Sequence, residues 1–165
     1  MWLVAKIKKK EFHLFKKSLI EKIKDVEIYA PKYESTTKVK SKKIFKFILD
    51  SYIFIGSTNF IEDSFVSKVK YIKGLEYMLE GYKNNQNQIK GFIDYCKKNE
   101  DYKGNLNQAF FLNLSQNTYK FVSGPFKSFV LNLLSVKKNN VQTECNGKLI
   151  SFKNDIKFLL VPKNL

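Results

Sequence analysis

Residues 123–136, SGPFKSFVLNLLSV, fit two secondary structures. Gly124-Pro125 followed by alternating side chains reads as a turn entering a β-strand. Phe126, Phe129, Val130, Leu133 and Leu134 also share one face of a helix, with Pro125 at its start. The neighbouring sequence bears on the choice. TYKFV (118–122), NVQTEC (140–145), KLISF (148–152) and IKFLLV (156–161) are β-compatible runs, and Asn146-Gly147 is a strong hairpin signal. Five short strands in residues 117–165 predict a small β-barrel.

The first hundred residues read differently. WLVAKI (2–7), VEIYAP (26–31), SYIFIG (51–56) and LEYML (75–79) are strand-like. Phe12, Phe15, Leu19 and Ile23 recur at helical spacing and predict a helix over 9–24. Further helices are expected at 63–71 and 88–98. The polar stretch ESTTKVKSKK (34–43) reads as a hairpin tip or loop. An α+β chain is expected: an antiparallel sheet with packed helices over 1–98, a polar linker over 99–116, then the β domain.

Charge and chemistry narrow the function classes. The net charge is +15 and every basic residue is lysine. Residues 1–100 hold 21 lysines against 12 acids, and the rest hold 9 against 3. Residues 6–17 carry six lysines and one acid, Glu11; residues 38–46 carry five lysines and no acid. Two such runs suit a polyanionic partner held by its phosphates. Absent arginine argues against bidentate reading of guanine. Cys96 and Cys145 have no CxxC partner, and His13 stands alone, so no metal site and no cofactor are expected. No phosphate-binding glycine loop, nucleophile elbow or acid–base set is present, which argues against an enzyme. No apolar run approaches a membrane span, and the N-terminus lacks a signal-peptide pattern, so a cytoplasmic protein is expected.

Several motifs, in order, resemble the NusG family of transcription elongation factors. WLVAKIKKKEF resembles the family's Trp-Tyr-Val-Val start, and Ala30-Pro31 follows the second strand as the family's Ala-Pro does. DSYIFI (50–55) and VKYIKGLEYML (69–79), with Gly74 on the family glycine, resemble two further segments. TYKFVSGPF (118–126) resembles the strand and turn that open a KOW domain. Asp50 stands where the family has proline, and Leu131 where the KOW core has a second glycine. The specialised RfaH branch also lacks that glycine, so the chain resembles a specialised or phage-borne member.

The resemblance implies a polymerase-binding domain over 1–98 and a KOW domain over 117–165. It implies docking on the β′ clamp helices of RNA polymerase through Leu49, Tyr52 and Phe54. Lys8, Lys9, Lys10, His13, Lys16 and Lys17 are implied to face upstream duplex or non-template DNA. The family's KOW domain recruits a small-subunit ribosomal protein or Rho, which implicates Phe126 and Phe129. RfaH's second polymerase contact, a His-Thr-Thr run, aligns with Phe65-Val66-Ser67 and is not matched. Pause suppression by a monomer is the expected activity; a ribosome-associated or general RNA-binding KOW protein is the alternative. The RfaH branch also gives SGPFKSFVLNLLSV a second meaning, because its C-terminal domain can form a helical hairpin over the polymerase patch.

Overall fold

The computed structural model describes residues 1–36, 43–112, 118–122, 129–137, 140–145, 147–153 and 159–163. In chain order the strands and helices are β1 (Trp2–Ile7), α1 (Phe12–Lys22), β2 (Glu27–Tyr29), β3 (Lys32–Thr36), β4 (Lys43–Phe47) and β5 (Tyr52–Gly56). Then come α2 (Asp63–Lys70), β6 (Leu75–Met78), α3 (Gln86–Lys98), α4 (Gln108–Leu112) and β7 (Thr118–Phe121). The chain ends in β8 (Val130–Lys137), β9 (Asn140–Cys145), β10 (Lys148–Lys153) and β11 (Leu160–Pro162). The fold is α+β, and all its strand pairs among the described residues are antiparallel. The contacts divide it into one unit of Met1–Pro31 with Leu49–Tyr95 and a second of Lys32–Ile48 with Cys96–Leu165.

The first unit is a four-stranded sheet in the order β2-β5-β1-β6. Alternation in β1 and β5 sends Leu3, Ala5, Ile7, Ile53 and Ile55 to one face, where they are buried. Phe15 and Leu19 of α1 and Val66 and Val69 of α2 close that face. The single helix expected over 9–24 is shorter. A 3-10 turn at Lys9–Glu11 leads into α1, and Ile23, its last apolar position, is already extended. Ile23 is still fully buried, so periodicity found the core residue beyond the helix end.

The opposite face carries Val4, Phe54 and Trp2 beneath α3. Gln86 begins α3 and clamps it to β1: its Nε2 donates to the Trp2 carbonyl at 2.7 Å, and its Oε1 accepts from the Trp2 N–H at 2.8 Å. That clamp sits at the Trp2 end of β1. Ile89 and Ile93 consequently cover Phe54, and the Lys6 end of the face lies beyond their cluster.

The second unit contains a five-stranded sheet in the order β10-β9-β8-β7-β11. Residues 130–136 of the ambiguous stretch are strand, not helix, while 123–128 lie outside the described residues. Leu131 pairs with Tyr119 and is buried with Val141 and Leu160, so the leucine in place of a glycine fills this core. Cys145 pairs directly with Lys148 across a two-residue connection, and Gly147 has φ +76°, as such a tight hairpin requires.

The stretch expected to be a hairpin tip or loop is flanked by the antiparallel strands β3 and β4, and residues 37–42 lie outside the described residues. Tyr33 and Ser35 of β3 are buried, while Phe45 and Phe47 of β4 are exposed. Tyr33 meets Phe111 edge-on at 5.5 Å, and Ser35 Oγ donates to the Val122 carbonyl at 2.9 Å. Within residues 99–116, α4 buries Phe110, Phe111 and Leu112 in the same unit.

Candidate docking face and lysine flank

The open end of the four-stranded sheet is built from three neighbouring strands. Lys6 of β1 lies between Tyr52 of β5 and Tyr77 of β6 in register. Those two outer positions are two strand spacings apart, about 9–10 Å at the backbone. Both tyrosines lean inward over the lysine. Their hydroxyls meet at 2.6 Å, and their rings sit edge-on at 6.3 Å. Lys6 Nζ lies 5.5 Å from the Tyr77 ring centre and 3.2 Å from Glu76 Oε2. The hydrogen bond to Glu76 raises the Lys6 pKa above its ordinary value. The bond between the hydroxyls is the leading cause of a raised Tyr52 pKa, with burial next.

This arch is partly in solvent: Tyr77 is 43% exposed and Leu79 40%, while Tyr52 is half-buried. Leu49 is half-buried against the cluster beneath α3. Phe54 shares the Tyr52 face, as period 2 requires, but is only 5% exposed. The Phe92 ring lies 5.7 Å from it and Tyr29 6.3 Å. Phe54, which the resemblance implied as a docking residue beside Tyr52, is thus covered by α3. Tyr77 was not singled out by sequence, although the alternation of LEYML carried half of the needed signal.

The lysine flank adjoins this end. Lys8, Lys9 and Lys10 lie on or beside the 3-10 turn, and His13, Lys16 and Lys17 on α1; all are exposed. Lys9, His13, Lys16 and Lys17 fall at i, i+4, i+7 and i+8, opposite the buried stripe. Lys9 reaches Asp50, two residues before Tyr52, and ties the flank to the arch. That hydrogen bond is the main influence lowering the Asp50 pKa. Asp50 itself has φ +56°, a conformation that a proline at this position could not adopt.

In the second unit Phe129 is exposed, and Phe126 lies outside the described residues. Among the described residues no group of three or more His, Cys, Asp or Glu is placed to hold a metal. No described helix is long and apolar enough to cross a membrane.

No protein-family model matches the chain, and no curated protein matches it. Among solved structures it is similar to the crystal structure of an MjSpt4:Spt5 complex in conformation B. The identity is 15%, over 99% of this chain and 98% of that one, with a TM-score of 0.31. A likeness at that level carries no argument, so fold and function rest on the residues described above.

Proposed function

We propose that the chain is a transcription elongation or antitermination factor of the NusG type, and not an enzyme. Its first unit docks on the β′ clamp helices of RNA polymerase by the open end of the four-stranded sheet. Tyr52 and Tyr77 make the contact, with Leu49 at its margin and Phe54 as the support beneath. The observation that carries this reading is the partly exposed tyrosine arch joined to a lysine flank through Lys9 and Asp50. Tyrosines at a sheet face suit a helix laid across them, since each offers an apolar body and a polar tip. The neighbouring lysines then face DNA and neutralise its phosphates.

The mechanism is mechanical. Docking bridges the cleft around the DNA, holds the clamp closed and suppresses pausing. The C-terminal sheet acts as a KOW barrel that recruits a ribosomal protein or Rho, with Phe129 and Phe126 on its contact surface. The protein works as a cytoplasmic monomer.

The test is retention of purified polymerase by the immobilised chain at moderate salt. Tyr52→Glu is expected to abolish retention, because it places a charge in an apolar contact. Undiminished retention would overturn the docking assignment. The +15 charge also favours ribosomal RNA. Co-sedimentation with ribosomes and no affinity for polymerase would install the RNA-binding alternative instead.

A further inference from the structure

The lysine flank carries its own competitor for phosphate. Lys8, Lys9 and Lys10 are consecutive and exposed, and they extend the charge of Lys16 and Lys17 on α1. Of these lysines, only Lys9 has an ion pair among the described residues, and its partner is the Asp50 carboxylate. Both side chains stay mostly in solvent, 62% exposed for Lys9 and 72% for Asp50. The backbone brings the carboxylate there. Tyr52 N–H donates to the Leu49 carbonyl at 2.9 Å and closes a turn that contains Asp50. Ile7 N–H donates to the Ser51 carbonyl at 3.0 Å and ties that turn to the end of β1, just before Lys8 and Lys9. Asp50 has φ +56°, a region that aspartate, asparagine and glycine enter more readily than other residues.

We propose that Asp50 is an autoinhibitory competitor: it occupies Lys9 where a DNA phosphate would, and must be displaced before the flank binds DNA with all its lysines. The inference rests on the reading that this flank faces DNA. A carboxylate and a phosphate offer an ammonium the same ligand, an anionic oxygen. Lysine is a point charge on a flexible stem, with no fork geometry to satisfy, so Lys9 exchanges one anion for the other by moving its own stem. An exposed ion pair adds little to the stability of a fold, so the larger consequence of this one is for what Lys9 can bind. Masking lowers the affinity for DNA by one constant factor wherever the DNA is, but its effect on occupancy differs. Free in solution, a chain of net charge +15 is drawn to any nucleic acid, and weaker affinity means less idle binding. Docked beside its DNA, the flank meets phosphates at high effective concentration and stays occupied despite that factor.

The test is fluorescence anisotropy of a labelled DNA duplex of arbitrary sequence with the full-length chain, at about 0.1 M salt. Asp50→Asn removes the charge and keeps a residue suited to φ +56°. It is expected to tighten binding about two- to fivefold, the range of an exposed ion pair. In a Lys9→Gln background the same substitution is expected to change nothing, because no lysine is left to unmask. Lys9→Gln should therefore weaken the parent less than it weakens Asp50→Asn. Glu21→Gln is the control: it removes an exposed acid from α1 without touching Lys9. A gain from Asp50→Asn that persists without Lys9, or that Glu21→Gln matches in full, means that the carboxylate acts only by general repulsion, and the proposal is overturned. Unchanged affinity in Asp50→Asn overturns it as well. Lys16→Gln/Lys17→Gln separates this proposal from the reading it rests on. If that pair weakens duplex binding while Asp50→Asn is silent, the flank meets DNA and only the mask fails. If that pair leaves binding unchanged, the flank does not meet DNA, and the mask falls with it.

Discussion

The two faces of the four-stranded sheet are made by the same strands and have opposite fates. One face carries Leu3, Ala5, Ile7, Ile53 and Ile55 and is closed along its length by α1 and α2. The other carries Trp2, Val4, Lys6, Tyr52 and Phe54, and α3 closes only the part around Phe54. Composition explains part of the contrast, since the closed face is aliphatic throughout. Anchoring explains the remainder. Gln86 fixes the start of α3 at Trp2, so its Ile89 and Ile93 lie over Phe54. Lys6, Tyr52 and Tyr77 are left to satisfy one another. A binding face can thus be specified by where a covering helix is tied down.

The comparison is most exposed to failure at Phe54. Chemical denaturation followed by Trp2 fluorescence gives the stability of each variant. Phe15→Ala, which opens the closed face, is expected to cost about 3–5 kcal/mol. Phe54→Ala is expected to fall in the same range, although the residue belongs to the partly open face. Tyr52→Ala is expected to leave the unfolding midpoint close to that of the parent chain. A Phe54→Ala variant as stable as Tyr52→Ala would mean that α3 does not seal this region, and the asymmetry would dissolve.

A smaller effect is expected at the seam beneath α3. Gly56 faces Trp2 across β1 and β5, and a Cβ built there would lie 2.9 Å from three carbons of the indole ring. Gly56→Ala forces the ring to shift, at a cost of about 1–3 kcal/mol. Trp2 also carries the backbone groups that Gln86 holds. The shift should therefore loosen the start of α3, seen as faster amide exchange at Gln86–Ile89 than in the parent. Unchanged exchange and stability would show that α3 is held independently of Trp2.

Much of this fold was legible in the sequence because the signals are local. Strand-forming residue types located β1, β5 and β6, and helical period found Phe15 and Leu19 as core. The open face was half legible for a physical reason. Alternation places Tyr52 and Phe54 together but says nothing about which of them a helix covers. That depends on a contact between residues 2 and 86, 84 positions apart. Tyr77 was missed because its role requires β6 to pair beside β1 and bring Lys6 under both tyrosines, a long-range choice. The β3–β4 pair was legible only as a hairpin tip or loop over 34–43, because the lysines and short polar residues of KYEST and KIFKF obscure the strands on either side. SGPFKSFVLNLLSV carried both periods, and its last seven residues were decided by pairing with β7 and β9, which a window of fourteen residues does not contain.

The smallest effect is the most direct probe of the open end. The Tyr52 pKa is raised because its hydroxyl is hydrogen-bonded to that of Tyr77, and ionising Tyr52 would leave a charge in that contact. A raised folded-state pKa favours folding while Tyr52 is protonated. The contribution is fully present below the ordinary tyrosine value near 10 and is lost as pH rises through the higher folded value. Docking between about pH 6 and 8 should therefore be insensitive to these phenols, and alkaline titration should reveal them. Phenolate absorbance of the parent should include Tyr52 among the groups ionising late, beside Tyr33 and Tyr119, whose pKa values burial raises. Tyr77→Phe removes the partner hydroxyl but keeps the edge-on ring, so the Tyr52 component should move down towards the ordinary tyrosine value while those of Tyr33 and Tyr119 stay. If Tyr77→Phe leaves the Tyr52 component where it was, the hydroxyls do not meet in solution, and the two rings over Lys6 are independent.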